Sequence, residues 1–120
     1  MPKFLVIGEG FLGSYLIEAL RDADYEAIGT SRNPQSDKFF LDLTNPIPEL
    51  PLVDVVFICA AVASYRGTEF NPQVAWLTNA DSPVEICKQC VDRGMFTVFV
   101  SSDAVEWFGS TEYGRGKTYA

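Results

Sequence analysis

Hydrophobic and polar positions along this chain alternate between two textures. Phe4 to Ile7 is a short unbroken apolar run, as expected of a strand buried on both faces. From Phe11 the apolar residues Phe11, Leu12, Tyr15, Leu16, Ala19 and Leu20 recur at helical spacing and give out near the polar stretch Arg21-Asp22-Ala23-Asp24. Tyr25 to Thr30 reads as a second strand, Phe39 to Leu41 as a third, and Val53 to Ala60 as a long, buried fourth. Between them, Asn45 to Pro51 holds Pro46, Pro48 and Pro51 and is expected to be irregular. Asn71-Pro72 opens a helical pattern that runs through Val74, Leu77, Val84, Cys87 and Val91 to Gly94, with a kink or break expected at Pro83. Phe96 to Val100 is the fifth apolar run.

Short apolar strands alternating with helices predict a doubly wound α/β fold, a parallel sheet of about five strands in the order 3-2-1-4-5. The connection from Ser31 to Lys38 is too short for a full helix, so one crossover is degenerate. With no repeat, low-complexity tract or linker, residues 1–120 read as one domain.

Composition narrows the function. The 120 residues carry 9 Lys+Arg against 16 Asp+Glu, a formal net charge of -7. That balance lacks the basic surface a nucleic-acid binder needs and would be repelled by an anionic membrane. No apolar run reaches the ~20 residues of a membrane span, and MPKFLVIG reads as a first strand, not as a signal peptide. Three cysteines, Cys59, Cys87 and Cys90, make no disulfide framework and suit a reducing, cytoplasmic compartment. The absence of histidine removes imidazole acid/base chemistry and most zinc hydrolases. Cys87 and Cys90 form a lone C-x-x-C without a second pair, and read as core or half-buried thiols; no metal site is expected.

Gly8-Glu9-Gly10-Phe11-Leu12-Gly13 is a G-x-G-x-x-G placed directly after a strand and opening a helix. The first glycine permits the tight turn, the second lets backbone approach a pyrophosphate, and the third lets helix and strand pack closely. The helix N-terminus then faces the anion. A glycine turn without a ligand is the competing reading, and Glu9 is an awkward carboxylate beside two phosphates unless it points to solvent. At the end of the second strand, where ribose recognition is expected, stand Gly29-Thr30-Ser31-Arg32. No acid is present to hold a 2′-hydroxyl, whereas Ser31 and Arg32 suit a 2′-phosphate, which favours NADP over NAD. A solvated loop charge is the alternative for Arg32.

Beyond the fifth strand come Ser101-Ser102-Asp103 and then Tyr113-x-x-x-Lys117. On a helix, Tyr113 and Lys117 share a face, and the ammonium would draw the phenol toward acid/base use near neutral pH. Ser102, at a strand tip, could polarise a carbonyl.

Together these motifs resemble the N-terminal, cofactor-binding part of a short-chain dehydrogenase/reductase, of the extended or atypical branch that includes NAD(P)-dependent epimerases, dehydratases and dTDP-4-dehydrorhamnose reductases. The resemblance implies a Rossmann fold in which Asp42-Leu43 contacts the adenine, Ala60-Ala61 lies by the adenosine ribose, and Asn79 supports the catalytic region. It also implies Ser102, Tyr113 and Lys117 as the catalytic set, with Tyr113 and Lys117 also touching the cofactor. The substrate it implies is a small-molecule carbonyl or alcohol, with a sugar nucleotide as one form. The glycine turn is one residue shorter than the G-x-x-G-x-x-G of the extended branch, and the interval from Ser102 to Tyr113 is shorter than in sugar-nucleotide enzymes. Such enzymes carry their substrate region after the lysine helix, so the chain reads as a fragment ending before it. An apolar patch left near Trp107 and Phe108 would favour a homodimer. The other class of reading is a non-catalytic dinucleotide-sensing module built on the same turn.

Overall fold

The computed structural model describes residues 2–8, 10–59, 73 and 80–100. Strands β1 (Lys3–Ile7), β2 (Glu26–Ser31), β3 (Phe39–Phe40), β4 (Val55–Ile58) and β5 (Phe96–Phe99) form one parallel sheet in the order β3-β2-β1-β4-β5. Helix α1 (Phe11–Asp22) joins β1 to β2, and helix α2 (Ser82–Arg93) precedes β5. The expected Rossmann-like order is therefore observed. In β1, Leu5 and Ile7 join Val56, Ile58, Ile86 and Cys90 in one core, whereas Val6 joins Ile17 and Ala27 in a second. Successive strand residues face opposite sides, so a strand covered on both sides has to be apolar throughout.

Strand bounds shift slightly from the sequence expectation. The second strand starts and ends one residue later, and the fourth spans Val55–Ile58 instead of Val53 to Ala60. Val53 is still buried, and its N–H donates to the Met95 sulfur at 3.5 Å in place of a ladder bond. The third stops at Phe40, although the Leu41 N–H still donates to the Ser31 carbonyl at 2.9 Å.

The helices depart further. The apolar pattern of α1 places Phe11, Leu12 and Tyr15 on the packed face, yet these are 91%, 48% and 66% exposed, and Gly13 and Ile17 are the buried positions. The close approach of Gly13 to the end of β1 turns the helix so that its glycine, not its aromatics, meets the sheet. In α2 the expected Val84-Cys87-Val91 stripe holds in part: Cys87 packs half-buried against the core, Ile86 and Cys90 are fully buried, and Val91 is exposed. At Pro83, where a kink or break is expected, the helix changes character: Ala80 and Asp81 are π-helical and the α-helix α2 begins at Ser82, with Pro83 in its first turn. The upstream part of that pattern, 71–72 and 74–79, lies outside the described residues. Gly94 ends α2 as expected, in the left-handed conformation with φ 72°.

As expected, 32–38 hold no helix. Four short-range bonds shape the connection: Asn33 N–H to Ser31 Oγ (3.0 Å), Gln35 N–H to Asn33 Oδ1 (3.0 Å), Ser36 N–H to the Asn33 carbonyl (3.0 Å) and Lys38 N–H to Ser36 Oγ (3.2 Å). The proline-rich segment is held by α2. Gln89 accepts the Leu50 N–H (2.7 Å) and donates to the Pro48 carbonyl (3.0 Å), while Arg93 donates to the Leu50 carbonyl (2.7 Å). Because β2 lies on one side of β1 and β4 on the other, the strand order reverses between β1 and β4. Crevices at such points, outside the carboxyl ends of the strands, are where open α/β sheets bind ligands.

Candidate functional site

The reversal point is lined first by the glycine turn. Gly8 follows β1 with φ 119°, a conformation that a side chain would strain. Its N–H donates to Thr30 Oγ1 at 3.2 Å, and its carbonyl lies against Gly13, where a methyl group would overlap it. Gly10 is the N-cap of α1, extended at φ -67° and ψ -174°. It offers no side chain to the first-turn amides, and the first turn carries no acidic residue. A methyl group on Gly10 would meet nothing within 4 Å. The first amides of a helix have no intrahelical acceptor, and here an open glycine exposes them at the positive end of the helix dipole. The residues thus fit an anion held by backbone, as a dinucleotide pyrophosphate requires. Phe11 and Leu12 supply amides there while their side chains face outward.

The second part is the tip of β2. Thr30 and Ser31 are buried and Arg32 is exposed. Ser31 Oγ accepts the Asn33 N–H at 3.0 Å, so this hydroxyl shapes the turn and still has its own proton to donate. Among the described residues, Arg32 has no hydrogen bond or ion pair; its field reaches Asp42.

Asp42 and Leu43 follow β3. One Asp42 carboxylate oxygen, Oδ1, accepts both the Thr44 hydroxyl (2.6 Å) and the Thr44 N–H (2.9 Å). These two bonds, the hydroxyl first, hold the carboxyl below the usual carboxylate range against a small desolvation push upward, with Arg32 adding a minor downward pull. Leu43 is a core side chain, and its carbonyl accepts the buried Ser82 hydroxyl. Any share it has in a ligand site is through its backbone.

Gly8, Gly10, Phe11, Leu12, Gly13, Ser31, Arg32, Asp42 and Leu43 are therefore placed at or near one edge of the sheet. Glu9, Ala60, Ala61, Asn79, Ser102, Tyr113 and Lys117 lie outside the described residues, as do Trp107 and Phe108. Sequence reasoning missed Thr30, whose partner is 22 positions away and is brought close only by strand pairing. Cys90 is fully buried and Cys87 half-buried. Burial, with a smaller push from Cys90, raises the Cys87 thiol above its usual range, which disfavours the reactive thiolate. No helix among the described residues is long and apolar enough to cross a membrane.

Comparison with known proteins agrees with this geometry. Residues 4–119 match the profile of the NAD dependent epimerase/dehydratase family. The chain is 31% identical over 114 residues to a probable low-salt glycan biosynthesis reductase of Haloferax volcanii, covering 88% of this chain and 38% of that protein. It is 33% identical over 101 residues to a dTDP-4-dehydrorhamnose reductase of Mycobacterium tuberculosis, covering 80% of this chain and 31% of that one. Among solved structures, a dTDP-4-dehydrorhamnose reductase from Yersinia enterocolitica superimposes with a TM-score of 0.77 at 26% identity, over 99% of this chain and 46% of that one. The chain thus spans between about a third and a half of the length of these proteins.

Proposed function

The chain belongs to the NAD dependent epimerase/dehydratase family, and from that premise we propose that it is the NAD(P)-binding part of a reductase, epimerase or dehydratase acting on a small carbonyl or alcohol. A sugar nucleotide is the substrate class that its reductase relatives suggest. The observation that carries the reading is the glycine turn, with Gly13 closed against Gly8 and Gly10 open above an uncapped helix N-terminus.

The amides of Gly10, Phe11 and Leu12 hold the pyrophosphate. Arg32 and the Ser31 hydroxyl proton meet a 2′-phosphate, so NADP is preferred to NAD. Asp42, whose pKa Thr44 lowers, would accept a hydrogen bond from the adenine. The dinucleotide, once bound, supplies or accepts hydride. For proton transfer the family resemblance assigns Tyr113 as acid/base, Lys117 as the group that lowers its pKa and orients the nicotinamide ribose, and Ser102 as the donor that polarises the carbonyl. Ala60-Ala61 and Asn79 complete the assignment beside the adenosine ribose and the catalytic region. Cys59, Cys87 and Cys90, which form no disulfide, fit a reducing, cytoplasmic setting.

Calorimetric titration with NADP and NAD tests the reading. Saturable binding of both, tighter for NADP, is expected. Binding of neither overturns the function, and tighter NAD binding overturns the preference.

A further inference from the structure

We propose that Thr30 is a positioning residue for the pyrophosphate turn, its hydroxyl fixing the Gly8 peptide in the orientation that aims the following amides at the ligand. The inference rests on the dinucleotide reading above and adds a residue to it. Thr30 sits near the tip of β2 and is 4% exposed. The paired register between β1 and β2 runs from Lys3 and Glu26 to Val6 and Gly29. Beyond it, the Gly8 N–H points toward β2 and takes a side-chain acceptor, Thr30 Oγ1 at 3.2 Å. The bond is part-buried, and an N–H shielded from water without an acceptor is costly, so the hydroxyl favours this rotation of the peptide.

Gly8 is thereby held at both ends. Thr30 takes its N–H, and Gly13 blocks movement of its carbonyl. The residue between these restraints has φ 119°, outside the basins that ordinary strand continuation would hold. The carbonyl side of the same Ile7–Gly8 peptide accepts the Cys59 N–H at 2.8 Å, so losing the Thr30 bond loosens the turn on its β2 side without freeing the peptide outright, and the amides of Gly10, Phe11 and Leu12 shift with it. Valine would suit a buried strand position equally well in size and branching. What threonine adds is the hydroxyl, and the hydroxyl is on Gly8.

The test compares Thr30→Val and Thr30→Ser with the unaltered chain, using NADP and 2′-AMP, which has no pyrophosphate. Thr30→Val should weaken NADP about ten-fold, leave 2′-AMP within about two-fold, and speed amide exchange at Gly8 about ten-fold; Thr30→Ser should match the unaltered chain in all three. Three results overturn the proposal: unchanged NADP affinity in Thr30→Val, an equal loss for NADP and 2′-AMP, or a Thr30→Ser protein as impaired as Thr30→Val. If Thr30→Val does not fold, the unaltered chain and Thr30→Ser still decide: both must show a Gly8 amide protected from exchange, and a fast Gly8 amide in either overturns the assignment. If the unaltered chain binds neither dinucleotide, the functional reading fails by itself, and Gly8 exchange reports separately on whether Thr30 holds the turn.

Discussion

Gly13 of α1 packs so tightly on Gly8 that a methyl group on Gly13 would overlap the Gly8 carbonyl oxygen and stand 3.2 Å from its carbonyl carbon. Three residues earlier, Gly10 has no neighbour within 4 Å of the same hypothetical methyl. The two glycines therefore separate into a packing role and a ligand role. Gly13→Ala should destabilise the fold by about 3 kcal/mol or more, because backbone must move to admit the methyl. Gly10→Ala should stay within about 0.5 kcal/mol of the parent, since φ -67° suits alanine, yet lose dinucleotide affinity about ten-fold or more. Thermal unfolding beside calorimetric binding reads both, and equal stability of the two variants would refute the separation.

Asp42 gives a pH dependence with a definite sign. Its folded pKa is depressed by the Thr44 hydroxyl and N–H, so its contribution is present at neutral pH and is lost as pH falls through the folded value, below about 4. Thr44→Val removes the hydroxyl bond and should raise the Asp42 pKa toward the ordinary carboxylate range. Carboxyl-carbon NMR titration measures it directly, and an unmoved pKa in Thr44→Val would contradict the assigned cause.

How far the sequence could foresee these features depends on the range of the forces involved. Strands β1 and β4 were legible because both their faces are covered, leaving no polar position to blur the run. Gly8-x-Gly10-x-x-Gly13 was legible because turn, approach and packing are local requirements. Phe11, Leu12 and Tyr15 misled, since helical spacing of apolar residues does not say which stripe meets the sheet; the contact between Gly13 and Gly8 decides that. Val91 misled in α2 for the same reason, with Ile86 and Cys90 taking the core. Thr30 was invisible, as its role needs β1 and β2 side by side. So were Gln89 and Arg93, which act on carbonyls and amides about forty residues away.

That distant clamp is itself testable. Gln89 spans the proline-rich segment, taking the Leu50 N–H at 2.7 Å and reaching the Pro48 carbonyl at 3.0 Å, while Arg93 holds both Gln89 Oε1 (2.8 Å) and the Leu50 carbonyl (2.7 Å). Leu50 is 2% exposed, so an orphaned N–H there is poorly hydrated. Gln89→Leu should cost about 2 kcal/mol of stability, the penalty of a buried unsatisfied donor. The ion pair of Arg93 with the exposed Glu49, at 3.9 Å, should contribute little, and Glu49→Gln should change stability by less than about 0.5 kcal/mol. Urea unfolding of both variants ranks the two effects, and a larger loss from Glu49→Gln would reverse the ranking.

Arg32 provides the sharpest check on cofactor choice. The chain carries a net charge of -7, which opposes any polyanion and opposes NADP more than NAD. A preference for NADP therefore needs a local cation, and Arg32 is exposed at the tip of β2, with no ion pair among the described residues. Its guanidinium suits a phosphate in two-point contact, whereas lysine would act only as a point charge. Arg32→Gln should weaken NADP about ten-fold and leave NAD within about two-fold, with Arg32→Lys between. Because the site is exposed, added salt should narrow the gap between the cofactors in the parent and change it little in Arg32→Gln. Equal losses for NADP and NAD would show that Arg32 supports the general binding field and does not read the 2′-phosphate.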